Sequence, residues 1–294
     1  MEKASEMTQV HSYLSHNKPY GSLSQASRSD ISFADLESNA SSSSSSSSTR
    51  RNYKTLLTQH LLTVPFILAC TVIFASFLQL ESSTRGVVCT YLLVVGLFGW
   101  ALAFLMRRPT YFLLDRVFAL PHEFSAIVTL VLAGVVEEVC RLACVRLFVS
   151  PASNSGVLLQ AYFLGLGWSL SESVYFIVQN LLLIRPYRTA VFLDVRSVES
   201  RKQLAEILGS DLSEITPWWG VFWRFSSVMM HIGLSLCVAY KCVLVWPAAL
   251  VHAVLYVVWG EYLSVFGIPA TSYVTLLVSM TIFLIGLALF GEIV

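Results

Sequence analysis

Residues 122–149, HEFSAIVTLVLAGVVEEVCRLACVRLFV, decide the fold because they are apolar enough to cross a membrane yet carry charge near their centre. Three charged side chains lie in the interior of this run: Glu137, Glu138 and Arg141. The next apolar stretch, 156–184, reads GVLLQAYFLGLGWSLSESVYFIVQNLLLI and contains Glu172. A charge at the centre of an isolated spanning helix costs about 2.5–3.5 kcal/mol on insertion scales. These side chains therefore need partners inside a protein, and they indicate a polar site.

The composition is that of a membrane protein. Of the 294 residues, 55% are hydrophobic and 13% are charged, whereas soluble globular domains average about 25% charged residues. We therefore expect a lipid bilayer as the environment. The formal net charge of +1 gives no indication of a nucleic-acid partner.

The composition also divides the chain into two parts. Residues 1–54 are rich in serine and include, near their end, eight consecutive serines, 41–48. Such a segment buries too little apolar surface to offset its chain entropy, so we predict a disordered tail. Residues 55–294 are predicted to form one helical membrane domain.

Seven stretches of the membrane domain are long enough for a spanning helix, which needs about 20 mainly apolar residues. They cover approximately 57–79, 86–106, 124–148, 157–184, 218–241, 247–264 and 270–291. The predicted fold class is an all-α, polytopic membrane protein with seven transmembrane helices and a disordered serine-rich tail.

Lys and Arg near the ends of the predicted spans indicate the orientation. The side that carries the tail also carries Arg107 and Arg108 and the long loop 185–217. The positive-inside rule then places the N-terminus in the cytosol. We expect an integral multi-pass protein of the endomembrane system (endoplasmic reticulum, Golgi or vacuole) or of the plasma membrane.

The charges of the third predicted span lie on one side of a helix. Arg141 follows Glu137 by four residues and Glu138 by three, so its side chain can reach either carboxylate. One arginine cannot neutralise two carboxylates, so we expect one glutamate to hold a proton or to bond elsewhere. Both a structural polar knot and a general acid–base site fit this pattern.

Small residues recur every four positions in the fourth predicted span. Gly165, Ser169 and Ser173 form this stripe, and Glu172 borders it. Small residues at such spacing let a second helix approach closely within a bilayer. The stripe therefore predicts a helix-packing surface with a carboxylate at its edge.

Two histidines lie in later predicted spans that a short connection joins. His231 and His252 should therefore face each other at similar depth. Together with the glutamates they fit water activation. There is no HExxH motif, and neither histidine has a second ligand close in sequence, so we expect no metal and no cofactor.

Several segments resemble the anterior-pharynx-defective family, the seven-span scaffold subunit of γ-secretase. They are Glu138-Val139-Cys140-Arg141, the Ala161-Tyr162 to Asn180-Leu181 segment with its small-residue stripe, Thr216-Pro217-Trp218-Trp219 leading to His231, and His252. The likeness covers roughly residues 60 to 265. The family usually has three glycines in the stripe where this chain has Gly-Ser-Ser, and its N-terminus is extracytoplasmic, against the Lys and Arg count.

This resemblance implies a non-catalytic scaffold that assembles and stabilises a γ-secretase-like protease complex. Its partners would be a presenilin-type aspartyl protease and a nicastrin-type glycoprotein in the same membrane. The stripe would pack helices in this interpretation. The side chains that would line a buried polar cavity are Glu138, Arg141, His231 and His252.

A second resemblance points to an enzyme. The pair Glu137-Glu138 with Arg141, the Trp168-to-Glu172 spacing and the two histidines are similar to PrsW-type and CAAX-type membrane proteases. That likeness implies an intramembrane endopeptidase with Glu137 or Glu138 as the general base. The residues that would orient water and stabilise the oxyanion are Glu172, His231 and His252.

The enzyme interpretation meets one departure, and a third function stays open. The related proteases carry an acidic or amide residue four positions after the last histidine, where this chain has Tyr256. A small-solute or proton transporter would use the same polar cluster, but it predicts broken helices or inverted repeats. The scaffold, which is not itself an enzyme, is the first expectation.

Overall fold

The computed structural model describes residues 83–114, 121–150, 153–183 and 218–291, with isolated positions between 57 and 76 and at 118, 205, 206, 215 and 216. All regular structure in this part of the chain is helical, which confirms the all-α prediction. The tail, 1–54, and most of the predicted first span lie outside the described residues. The disorder of the tail, the domain boundary and the total of seven spans therefore stay predictions.

Seven α-helices and one 3-10 turn follow each other in the described residues. They are α1 (Ser83–Leu105), α2 (Arg107–Phe112), α3 (His122–Phe148), α4 (Asn154–Leu183), α5 (Trp218–Tyr240), the 3-10 turn Cys242–Leu244, α6 (Val245–Glu261) and α7 (Leu263–Leu289). Helices α1 and α3 to α7 overlap the second to seventh predicted spans. Helix α7 begins earlier than predicted, and Gly267 kinks it at φ 75° and ψ 159°, a conformation essentially restricted to glycine.

Four described segments are long and apolar enough to cross a membrane. They are Val87–Phe112, Trp218–Tyr240, Cys242–Glu261 and Leu263–Leu289. Helices α3 and α4, which carry the charged and small polar residues, are not among them. The four apolar segments are those of a membrane protein.

Helix α4 is the centre of the bundle. Its middle part, from Leu158 to Ser169, is almost entirely buried. Helix α1 packs along one side of α4, where Gly96 contacts Leu164 and Gly167 contacts Leu93. Helix α5 packs on another side and runs in the opposite direction.

Two glycines bring helix backbones into direct contact beside the histidines. A Cβ atom on Gly165 of α4 would lie 2.6 Å from the carbonyl oxygen of His231 on α5. A Cβ atom on Gly134 of α3 would lie 2.7 Å from the backbone nitrogen of Ala253 on α6. Each histidine therefore lies on a helix that is held against its neighbour without an intervening side chain.

Candidate functional site

The charged residues that the sequence singles out meet in one cluster. Four helices supply them: α3, α4, α5 and α6. The members are Glu137, Glu138, Arg141, Glu172, His231 and His252. All except Glu172 are 0 or 1% exposed, and the two imidazole rings lie 5.6 Å apart between centroids.

Arg141 links the two glutamates of α3 to the helix that carries His231. Its Nε donates to Oε2 of Glu138 at 2.9 Å, and its Nη1 donates to Oγ of Ser235 at 2.9 Å. Nη2 lies 2.9 Å from Nδ1 of His231 and 3.8 Å from Oε1 of Glu137. The guanidinium also stacks 4.3 Å from the ring centre of Trp168. Arg141 thus pairs most closely with Glu138.

Glu137 finds its partners on three other helices. The indole nitrogen of Trp168 donates to Oε1 at 2.7 Å. Nη2 of Arg107 donates to Oε2 at 3.1 Å, and the hydroxyl of Tyr256 donates to the same oxygen. The sequence predicts that the glutamate without Arg141 either holds a proton or bonds elsewhere. Glu137 is that glutamate, and its geometry provides bonds to other partners.

Three further side chains contact the cluster, and the sequence motifs do not assign them to it. Arg107 enters the sequence argument only as a loop charge, and Tyr256 only as a departure from a family pattern. Arg224 lies inside an apolar span, where an arginine is itself a signal of a polar site. Its Nη1 lies 4.0 Å from Oε1 of Glu172.

The additional arginines balance the charge of the cluster. Three glutamates face three arginines, which are Arg107, Arg141 and Arg224. With both histidines neutral, the formal charges sum to zero. Because unbalanced charge is costly in a low-dielectric interior, this balance favours ionised glutamates and uncharged imidazoles.

His231 has both ring nitrogens engaged. Nδ1 lies 2.9 Å from Nη2 of Arg141, and because a guanidinium only donates, Nδ1 accepts. The proton of the neutral ring is therefore on Nε2, which donates to Oε2 of Glu172 at 2.5 Å. The same oxygen accepts from the hydroxyl of Ser227 at 2.6 Å. His231 has no ring nitrogen left for a reacting group.

His252 has one ring nitrogen engaged. Nδ1 lies 2.8 Å from Oε1 of Glu138, a carboxylate that Arg141 also binds, so Nδ1 carries the proton and donates it. Nε2 is then an acceptor. It is buried, it has no hydrogen-bond partner among the described residues, and it lies 3.7 Å from Oε1 of Glu137. His252 therefore presents a basic lone pair beside a carboxylate.

The small-residue stripe borders the cluster on α4. Gly165 contacts the backbone of α5 at His231 and Ile232. Ser169 and Ser173 are fully buried, and the hydroxyl of Ser169 donates to the carbonyl oxygen of Leu166 at 2.8 Å. The stripe thus lies inside the bundle, and Gly165 is the member that lets α4 and α5 approach closely.

Within the described residues, no group of three His, Cys, Asp or Glu side chains is arranged to hold a metal ion. Comparisons with protein-family models, with curated proteins and with solved structures find no match for this chain. The two family resemblances thus stay predictions that rest on the sequence motifs.

Proposed function

We propose that the cluster is the hydrolytic site of an intramembrane endopeptidase. In this proposal the chain crosses the bilayer seven times and cleaves an amide bond that enters the bundle beside Glu137 and His252. The alternation of helix directions, in which α4 and α5 run oppositely and α3 and α6 do so too, supports multiple crossings.

The observation that carries the proposal is the pair formed by His252 and Glu137. Two acceptor atoms, Nε2 of His252 and Oε1 of Glu137, lie 3.7 Å apart in a buried setting. A separation beyond 3.5 Å suits one bridging water molecule, which donates a proton to each atom. Such a water directs a lone pair away from both acceptors, as a nucleophile requires.

The chemistry follows from the partners of each group. The water oxygen attacks the carbonyl carbon of the substrate while its proton passes to Nε2 of His252. Glu138, which accepts from Nδ1, stabilises the imidazolium as the carboxylate of a catalytic triad does. The C–N bond then breaks, the leaving amine takes the proton, and the other product is a carboxylic acid. Glu137 positions the water.

Cleavage of defined peptides tests the proposal. The full-length protein in lipid nanodiscs is incubated with internally quenched transmembrane peptides of about 20 residues, and the products are identified by mass spectrometry. We expect cleavage by the wild type and a loss of roughly 10²- to 10⁴-fold in Glu137→Gln, the range of one acid–base or water-positioning group. Lys241→Met, at an exposed position just beyond the end of α5, is the control. Equal turnover in Glu137→Gln and wild type would refute the assignment.

A scaffold subunit is the second candidate, and a different observation favours it. Each charged side chain of the cluster has an ionic partner in the same chain, so the cluster is also able to act only as a lock between helices. In that function the protein assembles a presenilin-type protease and a nicastrin-type glycoprotein in the endomembrane system or the plasma membrane.

Co-purification from native membranes separates the two candidates. The tagged protein is extracted in a mild detergent, and its partners are identified by mass spectrometry. Stoichiometric recovery of a polytopic aspartyl protease, together with no cleavage by the isolated chain, would favour the scaffold. Recovery of the chain alone, with cleavage that depends on Glu137, would favour the peptidase.

A further inference from the structure

Arg224, in the second turn of α5, has a hydrogen-bonding capacity that the cluster does not use. Its Nη1 is buried and has no hydrogen-bond partner among the described residues. The guanidinium lies 4.4 Å from the ring centre of Phe176, which fixes it by a cation–π contact. A buried guanidinium donor without an acceptor is costly, so this atom is poised for an oxygen from outside the chain.

Glu172 offers the complementary acceptor on the opposite side. Its Oε2 is occupied by His231 and Ser227, whereas Oε1 lies 4.0 Å from Nη1 of Arg224, beyond hydrogen-bond distance. The side chains of Arg224 and Glu172 are 12% and 13% exposed, in contrast to the core of the cluster. A donor and an acceptor thus face each other where the cluster approaches the surface.

We propose that Arg224 and Glu172 bind the backbone of the substrate, a proposal that rests on the peptidase function. An extended residue presents its N–H and C=O on the same side, as paired residues of an antiparallel sheet do. The C=O accepts from Nη1 of Arg224, and the N–H donates to Oε1 of Glu172. The substrate class is therefore a polypeptide segment that is extended, and not helical, at this point.

The charge of Glu172 disfavours other ligands. A phosphate or a carboxylate bound to Arg224 would bring a second negative charge beside Oε1 of Glu172. An ester has no N–H to donate. Only a group with both a donor and an acceptor satisfies the two side chains together.

The position relative to Glu137 makes this pair a positioning site. His231 bridges Glu172 to Arg141, and its Nδ1 lies 4.0 Å from Oε1 of Glu137. The imidazole ring of His231 therefore separates a peptide backbone held at Arg224 from Glu137, the carboxylate that positions the water. Arg224 selects and aligns the substrate and does not take part in bond cleavage.

Binding of backbone-modified peptides tests the inference without turnover. Full-length His252→Gln protein in nanodiscs is titrated with a fluorescein-labelled transmembrane peptide of leucine and alanine, about 20 residues long. Each peptide N–H is replaced in turn by an ester oxygen. We expect one position at which the ester weakens binding about tenfold or more, since a hydrogen bond to a charged group is lost.

Arg224→Met should weaken binding without moving this position. In the Arg224→Met, His252→Gln double variant we expect about tenfold weaker binding of the parent peptide, while the same ester position stays sensitive because Glu172 still accepts the N–H. Lys241→Met is the control, and the ester scan on the His252→Gln protein tests the N–H contact by itself if the Arg224→Met variant does not fold. Unchanged affinity in the Arg224 variant, or an ester scan without a sensitive position, would overturn the inference. A peptide that binds in this pattern but is not cleaved by wild type would instead overturn the proposed function.

Discussion

His231 and His252 lie 5.6 Å apart between ring centres, are equally buried, and approach the same oxygen of Glu137 at 4.0 and 3.7 Å. They differ in what occupies their nitrogens. An arginine and a glutamate hold the two nitrogens of His231, whereas in the described part of the chain Glu138 holds one nitrogen of His252 and the other has no partner. Position inside the bundle therefore does not distinguish the two histidines. Their hydrogen-bond partners do, and the proposed function assigns the reactive role to His252 on that ground.

The difference arises from Arg141, which serves the two histidines in opposite ways. It donates directly to Nδ1 of His231 and removes that lone pair from chemistry. It reaches His252 only through Glu138, whose carboxylate accepts the Nδ1 proton and leaves Nε2 basic. One guanidinium thus sets the tautomer of both rings.

Loss of Arg141 should remove the difference between the two histidines and have the largest effect on stability. In Arg141→Met, Glu138 keeps a buried charge without its cation, and His231 loses its donor. We expect the free energy of unfolding to fall by about 3–5 kcal/mol, the usual result of breaking a buried ion pair. Thermal unfolding of the protein in detergent measures it. Arg146→Met on the same helix, at an exposed position, should stay near the wild type.

Two glycine substitutions should affect the two histidines separately. A Cβ on Gly165 meets the backbone of His231, and a Cβ on Gly134 meets the backbone at His252 and Ala253. We expect Gly165→Ala and Gly134→Ala each to cost about 1–3 kcal/mol of stability, as overpacking does. Peptide turnover at a temperature where both variants stay folded should fall more in Gly134→Ala, because it displaces the reactive ring.

Gly260→Ala is the control for both. The atoms nearest to its added Cβ belong to the side chain of Leu130, which can rotate away. A stability loss in Gly260→Ala as large as in the other two variants would show that contact with a helix backbone does not set the cost.

Removal of the Tyr256 hydroxyl should have the smallest effect, and it tests the contribution of one partner of Glu137. Tyr256→Phe deletes the donor to Oε2 of Glu137 and the hydroxyl that accepts from Arg107, whereas Arg107 and Trp168 keep their own bonds to Glu137. We expect turnover to fall about tenfold, because Glu137 loses one of its hydrogen bonds, while the melting temperature changes little. Tyr262→Phe, at an exposed position just beyond the end of α6, is the matched control. Equal turnover in wild type and Tyr256→Phe would remove Tyr256 from the site.

The sequence predicts much of this arrangement and misses a specific part of it. Hydrophobic runs place helices α3 to α6 within a few residues, and charges inside apolar runs identify Glu137, Glu138, Arg141 and Glu172 as interior groups. The partners of these groups come from helices distant in the chain, so local spacing does not reveal them. Arg107 lies just beyond the end of α1 and reaches back into the bundle, which no periodicity indicates.

The tautomers of the two histidines are harder to predict from the sequence. Glu137 and Glu138 are adjacent and chemically identical, yet one receives Trp168 and the other His252. Which imidazole nitrogen carries the proton depends on the donors and acceptors within about 3 Å of it. Only the packing of four helices fixes those contacts, so the different roles of His231 and His252 required the structure.

Matched glutamine substitutions of the two histidines test the central claim most directly. Glutamine offers one donor and one acceptor, which suits the two contacts of His231 but provides no basic nitrogen at His252. Turnover of one quenched transmembrane peptide is measured for both variants and for wild type in nanodiscs. We predict that His252→Gln loses roughly 10²-fold or more of the activity, whereas His231→Gln keeps most of it. Equal losses in the two variants, or a larger loss in His231→Gln, would contradict the account.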